Sequence, residues 1–106
     1  MGRYRIRKSL QSADGNIVVI TGTYKFDDIK NGKMPYFVNI EYMKEKEFKD
    51  IHIKRKNIIN SEVLTKNKKY ILIGRVYSYT NKTHDKTNYS LTDVTLIPVD
   101  EDWRVI

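Results

Sequence analysis

The amino-acid sequence predicts an all-β domain: a small five-stranded, partly open barrel with at most one short helix, between the third and fourth strands. Three observations carry this expectation. Five runs are rich in β-branched and aromatic residues and mostly alternate apolar with polar, the pattern of a half-buried strand. Polar or glycine- and proline-bearing segments separate them. Gly22 and Gly74 interrupt two of the runs, where a bulge or sharp bend would coil a small sheet. The length, 106 residues with 40% hydrophobic content, is that of one domain covering 1–106.

Taken in order, residues 1–10 are expected as a basic N-terminal arm or an extra edge strand, with Arg3, Arg5, Arg7 and Lys8. The first strand, 17–26 (IVVITGTYKF), places Val18, Ile20, Tyr24 and Phe26 on the core face and Thr21, Thr23 and Lys25 on the other. Residues 27–35 (DDIKNGKMP) supply Asn-Gly and Pro, the punctuation of a turn. The second strand, 36–43 (YFVNIEYM), puts Tyr36, Val38, Ile40 and Tyr42 inward and Phe37, Asn39 and Glu41 outward. Residues 44–50 read as a charged connection. The third strand, 51–56 (IHIKRK), turns Ile51 and Ile53 inward, leaving His52, Lys54 and Lys56 outward.

Residues 57–68 are the one candidate helix, with Ser61 capping a turn over 62–64 and Ile58 and Ile59 packing beneath it. The fourth and fifth strands are 69–79 (KYILIGRVYSY) and 89–99 (YSLTDVTLIPV), joined by a protruding polar hairpin loop, 80–88 (TNKTHDKTN). Pro98 suits a strand end or an edge. The acidic-apolar tail 100–106 (DEDWRVI) is expected to pack on the barrel through Trp103, Val105 and Ile106. No internal repeat is evident. This strand order fits the oligonucleotide/oligosaccharide-binding (OB) fold, although other small barrels and meanders share it.

Composition narrows function by exclusion. Without cysteine there is no disulfide scaffold, thiol nucleophile or cysteine-ligated zinc. Only His52 and His84 could join carboxylates around a metal, and His84-Asp85 lies in a polar loop. Asp27 and Asp28 are consecutive and would face opposite ways on a strand. Phosphate-binding glycine loops, nucleophile elbows and dinucleotide fingerprints are missing. The expectation is therefore a non-enzyme with no catalytic residues, metal or cofactor. The longest apolar run, 17–20, is far too short to span a bilayer, and no apolar signal segment is present, so a cytoplasmic protein without membrane contact is expected.

What composition favours is a polyanionic partner. The formal charge is +7 and the pI about 9.6, and eight tyrosines accompany three phenylalanines and one tryptophan. Residues 54–69 hold Lys54, Arg55, Lys56, Lys66, Lys68 and Lys69 against Glu62, and the hairpin loop adds Lys82 and Lys86. Such charge gives salt-sensitive affinity for phosphates, although a lysine-rich surface equally well serves solubility. Aromatics interleaved with it tilt the balance: Arg75, Tyr77 and Tyr79 share one strand face leading into the loop, and an exposed ring stacks on a base for about 1–3 kcal/mol. Any single tyrosine is nonetheless more often core than platform. The expected nucleic-acid-binding residues are Lys25, Phe37, His52, Lys54, Lys56, Arg75, Tyr77, Tyr79, Lys82, Lys86 and Tyr89.

Residues 69–100 resemble the last hairpin of OB-fold single-strand DNA-binding proteins. Ile73-Gly74-Arg75-Val76 matches the opening element, Leu96-Ile97-Pro98-Val99 the closing one, and Ile20-Thr21-Gly22-Thr23 the glycine-marked first strand. The resemblance implies that loop 80–88 clasps nucleic acid. Two features depart from the family: the helix is minimal, and Trp103 sits in the tail instead of on a platform. Asp100-Glu101-Asp102-Trp103 is similar to the family's acidic partner-recruiting tip, which Arg104 interrupts. The expected function is binding of single-stranded DNA, or RNA, with little sequence preference. The alternative is a protein-binding module or inhibitor of phage or mobile-element type directed at a nucleic-acid enzyme; a carboxylate-based nuclease would need convergent acids. A replication or defence protein is a further partner on this reading, and both monomer and homodimer stay open.

Overall fold

Two long antiparallel hairpins form the framework of a computed structural model that describes residues 10–42, 45–46, 50–81 and 86–106. The first joins β1 (Ile17–Asp28) to β2 (Met34–Tyr42), the second β5 (Lys69–Asn81) to β6 (Lys86–Val99). Between them lie the two-residue strands β3 (Glu45–Lys46) and β4 (Ile51–His52), and 3-10 turns at Arg55–Asn57 and Ser61–Val63. The strand order is β3-β2-β1-β5-β6, with β4 also paired to β2. The result is all-β and curled without closing, the open OB-like barrel that the strand order predicts.

Three bulges produce the curl. Along β1–β2, Thr21 pairs with Glu41 but Thr23 pairs with Val38, so Gly22 faces the two residues Asn39 and Ile40. Along β5–β6, Ile73 pairs with Thr95 and Arg75 with Thr92, so Gly74 faces Asp93 and Val94. Asn39 and Asp93 both take φ 54°, a left-handed conformation that Asn and Asp tolerate better than most residues. Each is followed by an aliphatic side chain that folds over the glycine: a Cβ on Gly22 would lie 2.6 Å from Ile40 Cδ1, and one on Gly74 would lie 2.9 Å from Val94 Cγ2. The hairpins thus repeat one device without repeating a residue pattern. The third bulge is Lys25, since Tyr24 pairs with Phe37 and Phe26 with Tyr36.

These bulges reverse faces that simple alternation assigns. Phe37, expected outward as a nucleic-acid contact, is 0% exposed and packs at a tilt against Tyr24, ring centroids 5.7 Å apart. The bulge at Asn39 lets Phe37 and Ile40 both enter the core, and the bulge at Lys25 turns Phe26, 40% exposed, out with Tyr36. Tyr70, Leu72, Ile20, Ile53, Leu91 and Leu10 are fully buried with them.

The gap between β4 and β6 is bridged by side chains and an irregular segment. Ser90 Oγ donates to the His52 carbonyl at 2.8 Å, and the Ile59 N–H donates to the Val94 carbonyl at 2.7 Å. Asn60 imitates a strand residue: its amide donates to Leu96 O at 2.9 Å and accepts from Leu96 N–H at 2.8 Å. That duty explains why the expected helix is only a 3-10 turn. Asn60, not Ser61, is its N-cap residue, and the Asn60 side chain is committed to β6.

Other boundaries shift as well. The third strand shrinks to Ile51–His52 because 55–57 turn, and part of the expected connection 44–50 pairs as β3. The second hairpin extends beyond the expected strand ends to Asn81 and Lys86, so the loop is shorter than 80–88; residues 82–85, like the basic arm 1–9, lie outside the described residues. The tail docks by backbone, with Val105 bridged to Val99 and the Ile106 N–H donating to Pro98 O. Its expected anchors Trp103, Val105 and Ile106 remain exposed, and Trp103 lies under Lys69, whose Nζ is 4.9 Å from the ring centroid. Because the Pro98 carbonyl points to this outer edge, its nitrogen does too, so no ladder bond to β5 is lost.

The two glycines differ testably. At Gly74 a Cβ also meets the Thr92 carbonyl at 3.1 Å, which the ladder holds in place. Gly74→Ala should lower stability in urea denaturation by about 1–3 kcal/mol, with no rescue by Val94→Ala. At Gly22 the closest obstacle is a flexible methyl, so Ile40→Val should recover most of the loss caused by Gly22→Ala.

Candidate functional site

Residue Asp27, at the end of β1, organises the surface. The Tyr24 hydroxyl donates to its Oδ1 at 2.7 Å, and Arg55 Nη2 donates to both carboxylate oxygens at 2.9 and 2.7 Å. Burial alone would raise the Asp27 carboxyl, but the bonds from Tyr24 and Arg55 outweigh it and hold the group below the usual carboxylate range. Burial first, and then the adjacent carboxylate, push the Tyr24 phenol up to about 12. Arg55 is thereby tied to β1, while its neighbours Lys54 and Lys56 on the same turn are left exposed.

Those lysines form a ridge between two grooves. On one side, Lys54, Lys56, Asn57, Tyr77 and Thr92 line a cleft of about 320 Å³. Asn57 Nδ2 donates to the Tyr77 hydroxyl at 3.4 Å, and the Tyr77 and Tyr79 rings lie 5.9 Å apart at 39°. On the other side, Asn31, Gly32, Lys33 and Met34 join Lys54, Arg55 and Lys56 around a groove of about 290 Å³. Among the described residues, no carboxylate lines either groove. The turn bearing Lys33 is fixed by Asp28, which accepts from the Lys30 N–H at 3.2 Å and Asn31 Nδ2 at 2.8 Å.

Beside the ridge runs an aromatic ladder across three strands. Phe26 pairs with Tyr36, and Tyr36 with His52, at centroid separations of 5.4 and 4.6 Å. Acids hold its edge: His52 Nε2 is 2.9 Å from Asp28 Oδ2, and the Tyr36 hydroxyl donates to Asp50. Hydrogen bonds from Asn31 and then His52 keep the Asp28 carboxyl low.

Of the residues expected from sequence, Lys54, Lys56 and Tyr77 come together at the cleft, and Tyr79 lies against the Tyr77 ring outside its lining. His52 belongs to the ladder, and Lys25 is exposed on β1 next to Phe26. Arg75 belongs to another depression, its guanidinium donating to Gly15 O at 2.7 Å. Tyr89 packs partly buried against the core, and Phe37 is inside it. Lys86 pairs with Asn81 at the hairpin end, with its side chain outside the described residues, as is Lys82 altogether. Alternation missed Asn57, Phe26, Tyr36 and Lys33; the Asn31-Gly32 turn was the available signal for the last.

Among the described residues no group of three or more His, Asp or Glu is placed to hold a metal ion, and no helix is long and apolar enough to cross a membrane. No family model, curated protein or solved structure matches the chain.

The Tyr24 phenol, raised first by burial and then by Asp27, has a pH signature. An unfolded tyrosine ionises near 10, whereas folded Tyr24 keeps its proton to about 12, so its contribution is complete below pH 10 and lost as pH rises to about 12. Stability should fall by about 2–3 kcal/mol over that window beyond what other groups contribute. Tyr24→Phe should remove that component from urea midpoints measured at pH 9 to 12, a range set by the ordinary tyrosine value of about 10.

Proposed function

We propose that this chain is a small non-enzymatic nucleic-acid-binding protein that holds single-stranded DNA, with RNA as a second ligand and little sequence preference. The observation supporting this most is the cleft between Tyr77 and the Lys54–Lys56 ridge, lined among the described residues by cations and neutral polar groups without a carboxylate. Phosphates would follow Lys54 and Lys56, continuing toward Lys33, while bases stack on Tyr77 and Tyr79. A single strand offers its base faces to such rings; a duplex keeps them stacked inside. The resemblance of the second hairpin to OB-fold single-strand-binding proteins points the same way and names no ligand by itself.

Fluorescence anisotropy with single-stranded, duplex and RNA oligonucleotides across a salt series tests this reading. Lys54→Glu/Lys56→Glu should weaken binding and flatten the salt dependence, by about 0.7 in the log–log slope for each phosphate no longer neutralised. Tyr77→Ala should cost about 1–3 kcal/mol of affinity with the salt slope unchanged. Failure to bind any oligonucleotide at low salt would rule the reading out.

A further inference from the structure

Outward residues of β1, β5 and β6 form an apolar face. Pairing aligns Val19 with Ile73 and Thr95, and Thr21 with Ile71 and Ile97, while Ile17 lies opposite Arg75. Ile17 is 62% and Val19 57% exposed, with Ile71, Ile73 and Ile97 half-buried beside them. At one end Ile17, Ile73, Gly74, Arg75, Asp93 and Thr95 surround a depression of about 110 Å³. Gly74 contributes backbone to its floor, since a Cβ there would point inward against Val94 and Leu91 of the core. A contiguous apolar patch on a small soluble domain marks a contact surface.

We propose that this face seats a second copy of the chain, Ile17, Val19, Ile71, Ile73 and Ile97 packing about a two-fold axis with Arg75 set against Asp93 of the partner subunit. Charge complementarity selects this occupant. With a net charge of +7, two copies repel through most of their surfaces, yet among the described residues the charged groups lining this depression are one cation, Arg75, and one anion, Asp93. A two-fold contact uses the same patch twice, so the patch must contain its own complement. Here projecting aliphatic residues, a depression to receive one, a guanidinium and a carboxylate share one face. The inference is independent of nucleic-acid binding.

Sedimentation velocity on the nuclease-treated full chain in high salt, over a broad concentration range, tests it without nucleic-acid bridging. A concentration-dependent dimer is expected. Val19→Glu should weaken dimerisation by more than about tenfold, the effect of placing an unpaired charge in an apolar contact, with the circular dichroism spectrum unchanged. Ile17→Lys serves as a second probe at the more exposed position, should Val19→Glu disturb folding. Lys54→Glu/Lys56→Glu should leave the dimer as it is. A chain that stays monomeric throughout overturns the proposal, as does a dimer that survives folded Val19→Glu or Ile17→Lys, or one that nuclease abolishes.

Discussion

Everything on the outside of this barrel depends on a backbone constraint inside it: a glycine on one strand facing an extra residue on the next. At Gly22 and at Gly74 the missing side chain lets Ile40 and Val94 fold across the sheet, and the partner strand bends to follow. Without that close approach the hairpins would keep only the ordinary strand twist and would not bend round toward one another. With it, the far end of β6 comes round to 58–60, where Asn60 completes the hydrogen bonding of Leu96. The same curl carries Tyr77 under the turn that presents Lys54 and Lys56.

The second requirement is electrostatic. A turn rich in lysine and arginine has little intrinsic reason to adopt one position, since its side chains repel and are well solvated. Asp27 supplies the reason by accepting both from Tyr24, a core residue, and from Arg55, a surface one. One cation of the turn is neutralised as an anchor, and its two neighbours remain available. The division of labour follows charge chemistry: a planar guanidinium can grip a carboxylate through paired donors, whereas flexible ammonium groups suit phosphates at varied positions.

Much of this was legible in sequence, and the failures share a cause. The five principal strand regions, their order, the importance of Gly22 and Gly74, and the grouping of Lys54, Lys56, Tyr77 and Tyr79 all follow from alternation and charge placement. What alternation cannot show is a bulge, because one inserted residue leaves composition unchanged while reversing every face beyond it. Lys25 and Asn39 are such insertions, and they account for Phe37 being core and for Phe26 and Tyr36 lying outside. The third strand and the helix fell short for a different reason. Ser90 satisfies the His52 carbonyl in place of a neighbouring strand, Asn60 commits its side chain to the Leu96 backbone instead of capping a helix, and no local pattern announces a partner some 36 to 38 residues away.

On the function we propose, the Lys54–Lys56 ridge and its neighbouring tyrosines hold single-stranded nucleic acid. The most direct measurement is a titration of isotope-labelled chain with a short single-stranded oligonucleotide, followed by NMR chemical shifts. The largest shifts are expected at Lys54, Lys56, Asn57, Tyr77, Tyr79 and Thr92, with smaller ones at Lys33 and little change at Ile17, Val19 or Ile73. Shifts centred on the apolar face, or spread evenly over the exposed lysines with the tyrosine signals unmoved, would contradict it.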